Sequence, residues 1–494
     1  MVFARYFGAS GETDAFFLAF KIPNFMRRLF AEGSFSLAFV PVLSEVRASG
    51  DRKALRDLID NVAGTLTGIL LVVTAIGVLA APVVLAIFAP GWLVDERPEF
   101  WLSADMLRIT FPYIMLISLT AFAGGILNTF DRFLVPALTP VLLNVSLIVA
   151  AVLFSAQFEV PVMALAWGVL AAGVAQLLIQ VPALMKLGVM PRPRWGWRHS
   201  GVRKILRLMI PTLVGSSVAQ INLLLDMVIA TFLVSGSVSW LYYSDRLLEF
   251  PLGVFGVALS TVILPNLSRK FARKDPHAFS ATLDWSLRLA LIITLPAALG
   301  LAQLAMPILI TLFQYDAFEL SDVKMSALSL SAYAAGLPAF IAVKVLAPGF
   351  YARQDTKTPV KIAIIAMVSN MALNFIFVGA FLALAFQGPH TGLALASSAA
   401  AYINAALLFR GLRKQGTYQP EPGWSRVAMA VLAGCIAMVA AIAWQYGEIV
   451  QWVEAPGFNR AVRLTLLIGL GVVVYSVALI AGGLRKHHLA KGSS

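Results

Sequence analysis

Long runs of uncharged, mainly apolar residues are the feature that most limits what this chain can fold into. Three examples are Val62–Phe88, Phe133–Phe154 and Leu464–Ile480. A helix of about 20 such residues crosses the hydrocarbon layer of a membrane. Of the 494 residues, 59% are hydrophobic and 13% are charged, whereas soluble domains carry about 25% charged residues. The sequence therefore predicts an all-α, polytopic membrane protein rather than a set of soluble domains.

The apolar runs predict thirteen membrane spans and, before them, a fragment of a further helix at residues 1–8. The spans are 14–47, 54–89, 99–128, 134–156, 160–186, 203–234, 239–270, 277–313, 323–352, 358–385, 391–413, 424–445 and 460–484. The prediction is thus about fourteen transmembrane helices, of which the first is partial.

Lys and Arg divide the loops between these spans into two alternating sets. One set holds 26 basic residues, and the alternate set holds only Arg97. Basic loops stay on the cytoplasmic side of a membrane, so we expect the first set and the C-terminus to be cytoplasmic. The net charge of +13 is spread over these short loops, which argues against a nucleic-acid partner.

The two halves of the chain resemble each other at an offset of 224 residues. Phe39–Ser44 (FVPVLS) matches Ile263–Ser268 (ILPNLS), and Asp51–Asp60 matches Asp275–Asp284. Gly125 and Asp131 match Gly349 and Asp355 in the same way. Because the matched segments lie on the same side of the membrane, they indicate a parallel repeat, which usually encloses a central cavity.

This repeat predicts two six-helix lobes followed by two additional helices. The expected divisions are an N-lobe at 1–186, a cytoplasmic linker at 187–202, a C-lobe at 203–415, and the additional helices with a cytoplasmic tail at 416–494. Residue 1 corresponds to residue 225, although the second lobe begins near residue 201. We therefore expect about 24 residues, the inner part of the first helix, to be absent from the N-terminus.

Several charged residues lie inside the predicted spans, where an unpaired charge costs at least about 2.5–3.5 kcal/mol. Such side chains usually face a water-filled cavity or a partner. Arg27 has no carboxylate three or four residues away, so we expect it to face a cavity. The remaining candidates are Asp14, Lys21, Arg28, Glu32, Arg246, Glu249 and Lys344. Several guanidinium groups in one cavity favour an anionic substrate such as a lipid-linked diphosphate.

Two of these arginines have an alternative interpretation as members of intrahelical ion pairs. Arg28 and Glu32 are spaced i,i+4, and Arg246 and Glu249 are spaced i,i+3. Either pair could stabilise its helix without any contact with a substrate.

A second candidate site consists of polar residues in apolar spans. Asp226 lies in the run Ile221–Val234, and Asn370 and Asn374 share one helix face. Together they could bind a monovalent cation, or Asp226 could simply form a hydrogen bond to a neighbouring helix. The five histidines lack ligand spacing, so we expect no metal site and no organic cofactor. Either a monovalent cation or the membrane potential could couple to transport.

The chain resembles the MurJ/MviN family of lipid II flippases, within the MOP transporter superfamily. The resemblance extends over essentially the whole chain and is carried by short motifs. These are Thr13–Phe17 (TDAFF), Lys21–Asn24 (KIPN), Arg27–Gly33 (RRLFAEG), Gly236–Trp240 (GSVSW), Tyr242–Arg246 (YYSDR), Glu249–Pro251 (EFP), Lys344–Tyr351 (KVLAPGFY), Arg353–Asp355 (RQD) and Lys357–Pro359 (KTP).

The resemblance implies that the chain flips lipid II, an undecaprenyl-diphosphate-linked peptidoglycan precursor, from the inner to the outer leaflet of the bacterial cytoplasmic membrane. It also implies that Arg27 and Arg246 hold the diphosphate and that Asp14 is a functional acid. The family's other cavity arginines fall in the first helix, before Met1. Asp226, Asn370 and Asn374 resemble the family's cation site only loosely.

Two alternatives to a lipid II flippase follow from the same residues. One is a cation-coupled exporter of drugs or of another lipid-linked glycan, although exporters of cationic drugs favour acidic cavities. The other is a membrane enzyme, which would need a cluster of catalytic acids or histidines that the short loops lack. We therefore expect the chain to be a transporter and not an enzyme. We also expect it to be a monomer whose partners are lipid II and membrane lipids.

Overall fold

The computed structural model describes residues 1–27 and 35–483, except for the side chains of residues 37, 211–223 and 257. Residues in the described ranges form helices and connecting turns, with no strand among them. The chain divides into two compact units, Val2–Ser239 and a second unit that begins at Trp240 and includes Met1. Each unit has its own apolar core.

The first unit contains twelve helices among its described residues. They are α1 (Val2–Phe7), α2 (Gly11–Arg27), α3 (Ser36–Ala48), α4 (Arg52–Leu79), α5 (Ala81–Phe88), α6 (Pro90–Val94), α7 (Pro98–Thr110), α8 (Tyr113–Thr129), α9 (Leu134–Val149), α10 (Met163–Leu178), α11 (Val181–Lys186) and α12 (Ser200–Ala230). A short π-helical segment, Ala150–Phe154, continues α9. Phe39, Ile59 and Phe122, from α3, α4 and α8, meet in the core.

The second unit begins inside α13 (Ser237–Pro251), which continues through a π-helical segment, Leu252–Val257. The helices that follow are α14 (Ala258–Ala272), α15 (Pro276–Gln303), α16 (Ala305–Phe313), α17 (Leu320–Tyr351), α18 (Lys357–Ala383), α19 (Thr391–Lys414), α20 (Trp424–Tyr446), α21 (Ile449–Glu454) and α22 (Gly457–Ala481). Leu283, Ile341 and Leu412, from α15, α17 and α19, lie in its core.

Eleven helical segments among the described residues are long and apolar enough to cross a membrane. Several leave large apolar side chains exposed, as α22 does with Leu466, Val473 and Ile480. A helix that exposes so many apolar residues suits lipid better than water. The polytopic all-α prediction is therefore confirmed, whereas the total of about fourteen helices and the predicted lobe boundaries stay predictions.

Several predicted continuous spans are in fact two consecutive helices. Span 54–89 bends at Ala80 between α4 and α5, and span 277–313 bends at Leu304 between α15 and α16. Span 99–128 is interrupted before Tyr113, where Pro112 ends the regular hydrogen bonding of α7. Apolar periodicity alone does not mark these bends, because both sides of each bend remain apolar.

The internal repeat is visible in the local geometry of the two units. Asp51 and Asp275 both cap the helix that follows them, since each carboxylate accepts backbone N–H groups of the first turn. The preceding residues, Gly50 and Lys274, both have a positive φ. The bends at Ala80 and Leu304 also lie 224 residues apart and have nearly the same backbone angles.

Candidate functional site

The buried carboxylate of Asp14 accepts hydrogen bonds at the start of α13. It lies in the first turn of α2, and its oxygens accept hydrogen bonds from the backbone N–H groups of Gly236 and Ser239, both at 2.7 Å. The Ser239 hydroxyl donates to the same carboxylate. A carboxylate that accepts several N–H groups at the start of a helix, here α13, is held strongly by charge-assisted bonds.

Further contacts of the first unit surround this carboxylate. The Ser235 hydroxyl donates to the Glu99 carboxylate at 2.9 Å. A Cβ at Gly11 would lie 2.2 Å from a Glu99 oxygen and 2.6 Å from the Ser235 hydroxyl, so these side chains pack directly against the start of α2. We call Asp14, Glu99, Ser235, Gly236 and Ser239 the outer-end cluster, because they lie in or next to the loops that the charge pattern places outside.

Two neighbouring hydrogen bonds strengthen the hold on the same segment. The Arg97 guanidinium donates to the Leu233 carbonyl at 2.7 Å, and the Gly91 N–H donates to the Thr231 hydroxyl at 3.3 Å. Residues 231–239 are thus attached to α2, α6 and α7 by six hydrogen bonds. The outer ends of these elements are therefore joined by hydrogen bonds.

Arg27 is the last residue of α2, about 20 Å along the helix from Asp14. Its guanidinium donates through Nε (3.0 Å) and Nη2 (2.7 Å) to the side-chain oxygen of Asn24. A neutral amide orients the guanidinium without cancelling its charge. Lys21 is half-buried on the same helix, whereas Arg28 and Glu32 lie outside the described residues.

In the second unit, Arg246 forms the intrahelical ion pair that its spacing allowed. Its Nη1 lies 2.6 Å from a Glu249 carboxylate oxygen, and its guanidinium lies over the Tyr242 ring at 5.0 Å from the centroid. The two charged side chains are 42% and 45% exposed. The pair does not exclude substrate binding, since a phosphate could replace the Glu249 carboxylate, so the binding role stays a prediction.

Lys344 is exposed although it lies deep within α17. Its aliphatic chain covers Gly256 of the π-helical segment, where a Cβ would lie 2.7 Å from Cδ of the lysine. Among the described residues, no carboxylate lies within ion-pair distance of its amine. Binding of an anion by this exposed amine stays a prediction.

The predicted cation site is only partly assembled within one unit. Asn370 and Asn374 are buried, with the Asn374 amide donating to the Asn370 oxygen at 3.1 Å and Asn370 donating to the Ser397 hydroxyl at 3.3 Å. Asp226 is half-buried in α12, in the other unit, so the three-residue site stays a prediction. Among the residues that the structure describes, no group of three or more His, Cys, Asp or Glu side chains could hold a metal ion.

Most partners of Asp14 could not be predicted from the sequence. Gly236 and Ser239 lie more than 220 residues away along the chain. A Gly-Ser-x-Ser segment before a helix does indicate an N-terminus that could accept an outside carboxylate. Glu99 carried no such signal, since an acid in an outer loop is usually solvated.

Comparison with known proteins identifies the family. The family model described as "Lipid II flippase MurJ" matches residues 3–460. A Vibrio cholerae protein named "Probable lipid II flippase MurJ" is 49% identical over 493 residues, with 98% of this chain and 92% of that protein covered.

Solved structures agree with this assignment. A structure titled "Lipid II flippase MurJ, inward closed conformation" matches with a TM-score of 0.78 and 28% identity, covering 97% of this chain and 94% of that one. An inward-facing multidrug resistance MATE family transporter of the MOP superfamily shares the fold, with a TM-score of 0.67, 15% identity and coverage of 83% and 91%. The chain is therefore a multi-pass membrane protein that belongs to the MurJ family of lipid II flippases.

Proposed function

We propose that this chain moves lipid II from the inner to the outer leaflet of the bacterial cytoplasmic membrane by alternating access. The match to the MurJ family over residues 3–460 carries this proposal. The substrate has a charged diphosphate head and a prenyl tail, so it needs cations for the head while the tail stays in lipid.

In this cycle, the hydrogen bonds of the outer-end cluster and the two neighbouring hydrogen bonds hold the outer ends of α2, α6 and α7 closed against residues 231–239. Release of a substrate on the outer side requires residues 231–239 to separate from α2, α6 and α7. Because the Asp14 carboxylate accepts three of the six hydrogen bonds, it contributes most to holding the closed state. We therefore propose that Asp14 sets the balance between closed and open outer ends.

This role of Asp14 can be tested by thiol labelling. Cys435 is the chain's one cysteine, so Cys435→Ala provides a cysteine-free background. Ser237→Cys in that background replaces a fully buried residue. We expect a membrane-impermeant maleimide to label it poorly from outside, and to label it severalfold faster when Asp14→Asn is added. Equal labelling with and without Asp14→Asn would contradict the proposal.

We propose further that Arg27, Arg246 and Lys21 or Lys344 bind the diphosphate. A hydrogen bond to a charged group contributes about 1.5–3 kcal/mol, so removing one arginine should weaken binding by about 10- to 150-fold. The assay is lipid II flipping in proteoliposomes, with initial rates measured against lipid II concentration.

Arg108 gives a matched control for Arg246. It forms an i,i+3 ion pair with Asp105 at 2.6 Å, and the two side chains are 43% and 56% exposed, so spacing, distance and exposure all resemble the Arg246–Glu249 pair. If Arg246 only stabilises its helix, Arg246→Ala and Arg108→Ala will have the same small effect on flipping. Our proposal requires a large loss for Arg246→Ala alone.

The substrate class, the driving force and the topology need separate tests. Competition between lipid II and other polyprenyl diphosphates would distinguish a lipid II flippase from an exporter of another lipid-linked glycan. We propose that a monovalent cation or the membrane potential drives the cycle, which imposed ion gradients would test. We also propose a monomer with a cytoplasmic C-terminus, testable by light scattering and by a C-terminal reporter.

A further inference from the structure

Residues 192–199, which connect α11 to α12, are attached along the surface of α4. The Arg192 N–H donates to the Asp60 carboxylate at 2.7 Å, and the Arg194 N–H donates to the Asp60 carbonyl at 3.0 Å. One turn further along α4, the Gly196 N–H donates to the Thr65 hydroxyl at 3.1 Å. The connecting segment therefore has a fixed path and is not a loose loop.

Two glycines of α4 make this path possible. A Cβ at Gly64 would lie 2.1 Å from the Arg194 carbonyl oxygen, and a Cβ at Gly68 would lie 2.4 Å from the Trp195 ring. Gly64 and Gly68 are spaced i,i+4, so they lie on one face of the helix and leave a groove that the segment fills.

Along this groove, residues 192–199 extend to the level of the apolar part of α4. Gly68 lies 16 residues beyond Arg52, which corresponds to about 24 Å along the helix axis. It also lies six residues, or about 9 Å, past Val62, where the long apolar run begins. Just beyond it, Leu71 and Val72 of α4 are exposed. Trp195 is therefore level with a surface of α4 that suits lipid.

The two tryptophans of the segment are exposed despite this attachment. Trp195 is 67% and Trp197 is 49% exposed, and their rings stack with centroids 6.4 Å apart and an interplanar angle of 12°. Tryptophan prefers the boundary between headgroups and acyl chains, because its ring is apolar and its N–H is polar. Exposed, stacked tryptophans at this depth suit lipid better than water.

Three arginines lie close to the tryptophan pair in the sequence. Arg192, Arg194 and Arg198 are exposed, and within the described part of the chain none of their guanidinium groups forms an ion pair. The nearby Asp57 carboxylate lies 3.1 Å from the His199 ring nitrogen. A groove of about 1010 Å³ lies beside the tryptophan pair and is lined by Asp57, Asn61 and residues 195–199, so Arg198 is the arginine of the three that lines it.

We propose that residues 192–199 form a binding site for an anionic phospholipid of the cytoplasmic leaflet. The Trp195 and Trp197 rings pack against the upper acyl chains, and the three arginines bind the phosphate and the anionic headgroup. This goes beyond lipid II transport, because it assigns to the segment between α11 and α12 a structural lipid that is not the transported substrate.

The test uses the fluorescence of the tryptophan pair in nanodiscs. The protein is reconstituted in phosphatidylcholine with a fixed fraction of phosphatidylglycerol, and either lipid carries brominated acyl chains that quench tryptophan on contact. The signal of Trp195 and Trp197 is the difference between the unmodified protein and the W195F/W197F variant. If that double variant is not monodisperse, the single W195F and W197F variants provide the same difference.

We expect brominated phosphatidylglycerol to quench this difference signal about fivefold or more over brominated phosphatidylcholine at equal fractions. The R192Q/R194Q/R198Q variant should lose that preference but keep quenching by both lipids. The R269Q/R273Q/K274Q variant removes the same charge from the exposed end of α14 and the turn after it, which contain no tryptophan, and should keep the preference. Trp101, 61% exposed near the start of α7, should show no preference for either lipid.

Two results would overturn the proposal. Equal quenching by the two brominated lipids would show contact with lipid but no recognition of an anionic headgroup. Quenching by the water-soluble quencher acrylamide, with little quenching by either brominated lipid, would place the two rings in water and favour a protein partner.

Discussion

In the second unit, the buried carboxylate of Asp284 in α15 contacts four groups at once. Its Oδ1 accepts hydrogen bonds from the Tyr418 hydroxyl (2.8 Å), the Trp424 ring N–H (2.7 Å) and the Glu421 backbone N–H (3.2 Å). Its Oδ2 lies 2.6 Å from Nε of Arg288, which also donates to two carbonyls of the segment before α20. This group of contacts attaches α20 to α15.

Asp284→Ala should therefore lower the free energy of unfolding by about 3–5 kcal/mol, since it leaves a mostly buried guanidinium without its counter-charge. Asp284→Asn keeps one acceptor oxygen but loses the charge, so we expect an intermediate loss. The repeat supplies the control: Asp60, at the equivalent position in α4, accepts a single side-chain hydrogen bond, from the Arg192 N–H. Asp60→Ala should cost about 1–2 kcal/mol.

The assay is denaturant unfolding in mixed micelles, followed by tryptophan fluorescence. Each variant is compared with the unmodified protein at the same detergent concentration and pH. If Asp284→Ala were no more destabilising than Asp60→Ala, the reasoning from the number of partners and the ion pair would be refuted.

Three further predictions concern other buried groups. Burial lowers the pKa of His390 to about 4, so the folded state favours the neutral ring. As the pH falls below the pKa of the unfolded state, the free energy of unfolding should therefore decrease, by about 2 kcal/mol at pH 5. His390→Gln should flatten this pH dependence of unfolding. Gly64→Ala should destabilise by about 1–3 kcal/mol in thermal unfolding, because its Cβ would meet backbone, whereas Gly379→Ala, with open space around the new Cβ, should gain up to about 1 kcal/mol. Arg460→Lys should lose about 1.5–3 kcal/mol in denaturant unfolding, because an ammonium cannot reach the four backbone carbonyls that the guanidinium contacts.

Local features of this fold were predictable from the sequence. Asp51 and Asp275 each precede a helical sequence pattern, and an acid at such a position predicts a helix N-cap. Both residues do cap their helices, and both belong to the repeat seen in the sequence. The i,i+3 spacing of Arg246 and Glu249 allowed the ion pair that forms. Each of these depends on residues within one helical turn, so spacing alone is sufficient to suggest it.

Features that depend on distant parts of the chain were not predictable. Asp14 and its partner Ser239 are 225 residues apart, and Asp284 and Trp424 are 140 residues apart. No pattern in a single sequence specifies which helix end meets which carboxylate. The bends at Ala80 and Leu304 were also missed, because apolar residues continue on both sides.

The segment before α12 and the segment before α20 attach at equivalent positions of the repeat but follow different paths. Asp60 and Asp284 each accept a backbone N–H from the segment that follows their repeat, at Arg192 and Glu421. At the offset of 224, Gly64 and Gly68 are replaced by Arg288 and Ile292. In the first unit the glycines leave space, so the segment continues along α4 and brings Trp195 to apolar depth. In the second unit the Arg288 side chain donates to the Glu421 and Pro422 carbonyls of the segment, which leads into α20. At this repeat position the first unit thus has a glycine that accommodates the connecting segment, and the second unit has an arginine that binds it.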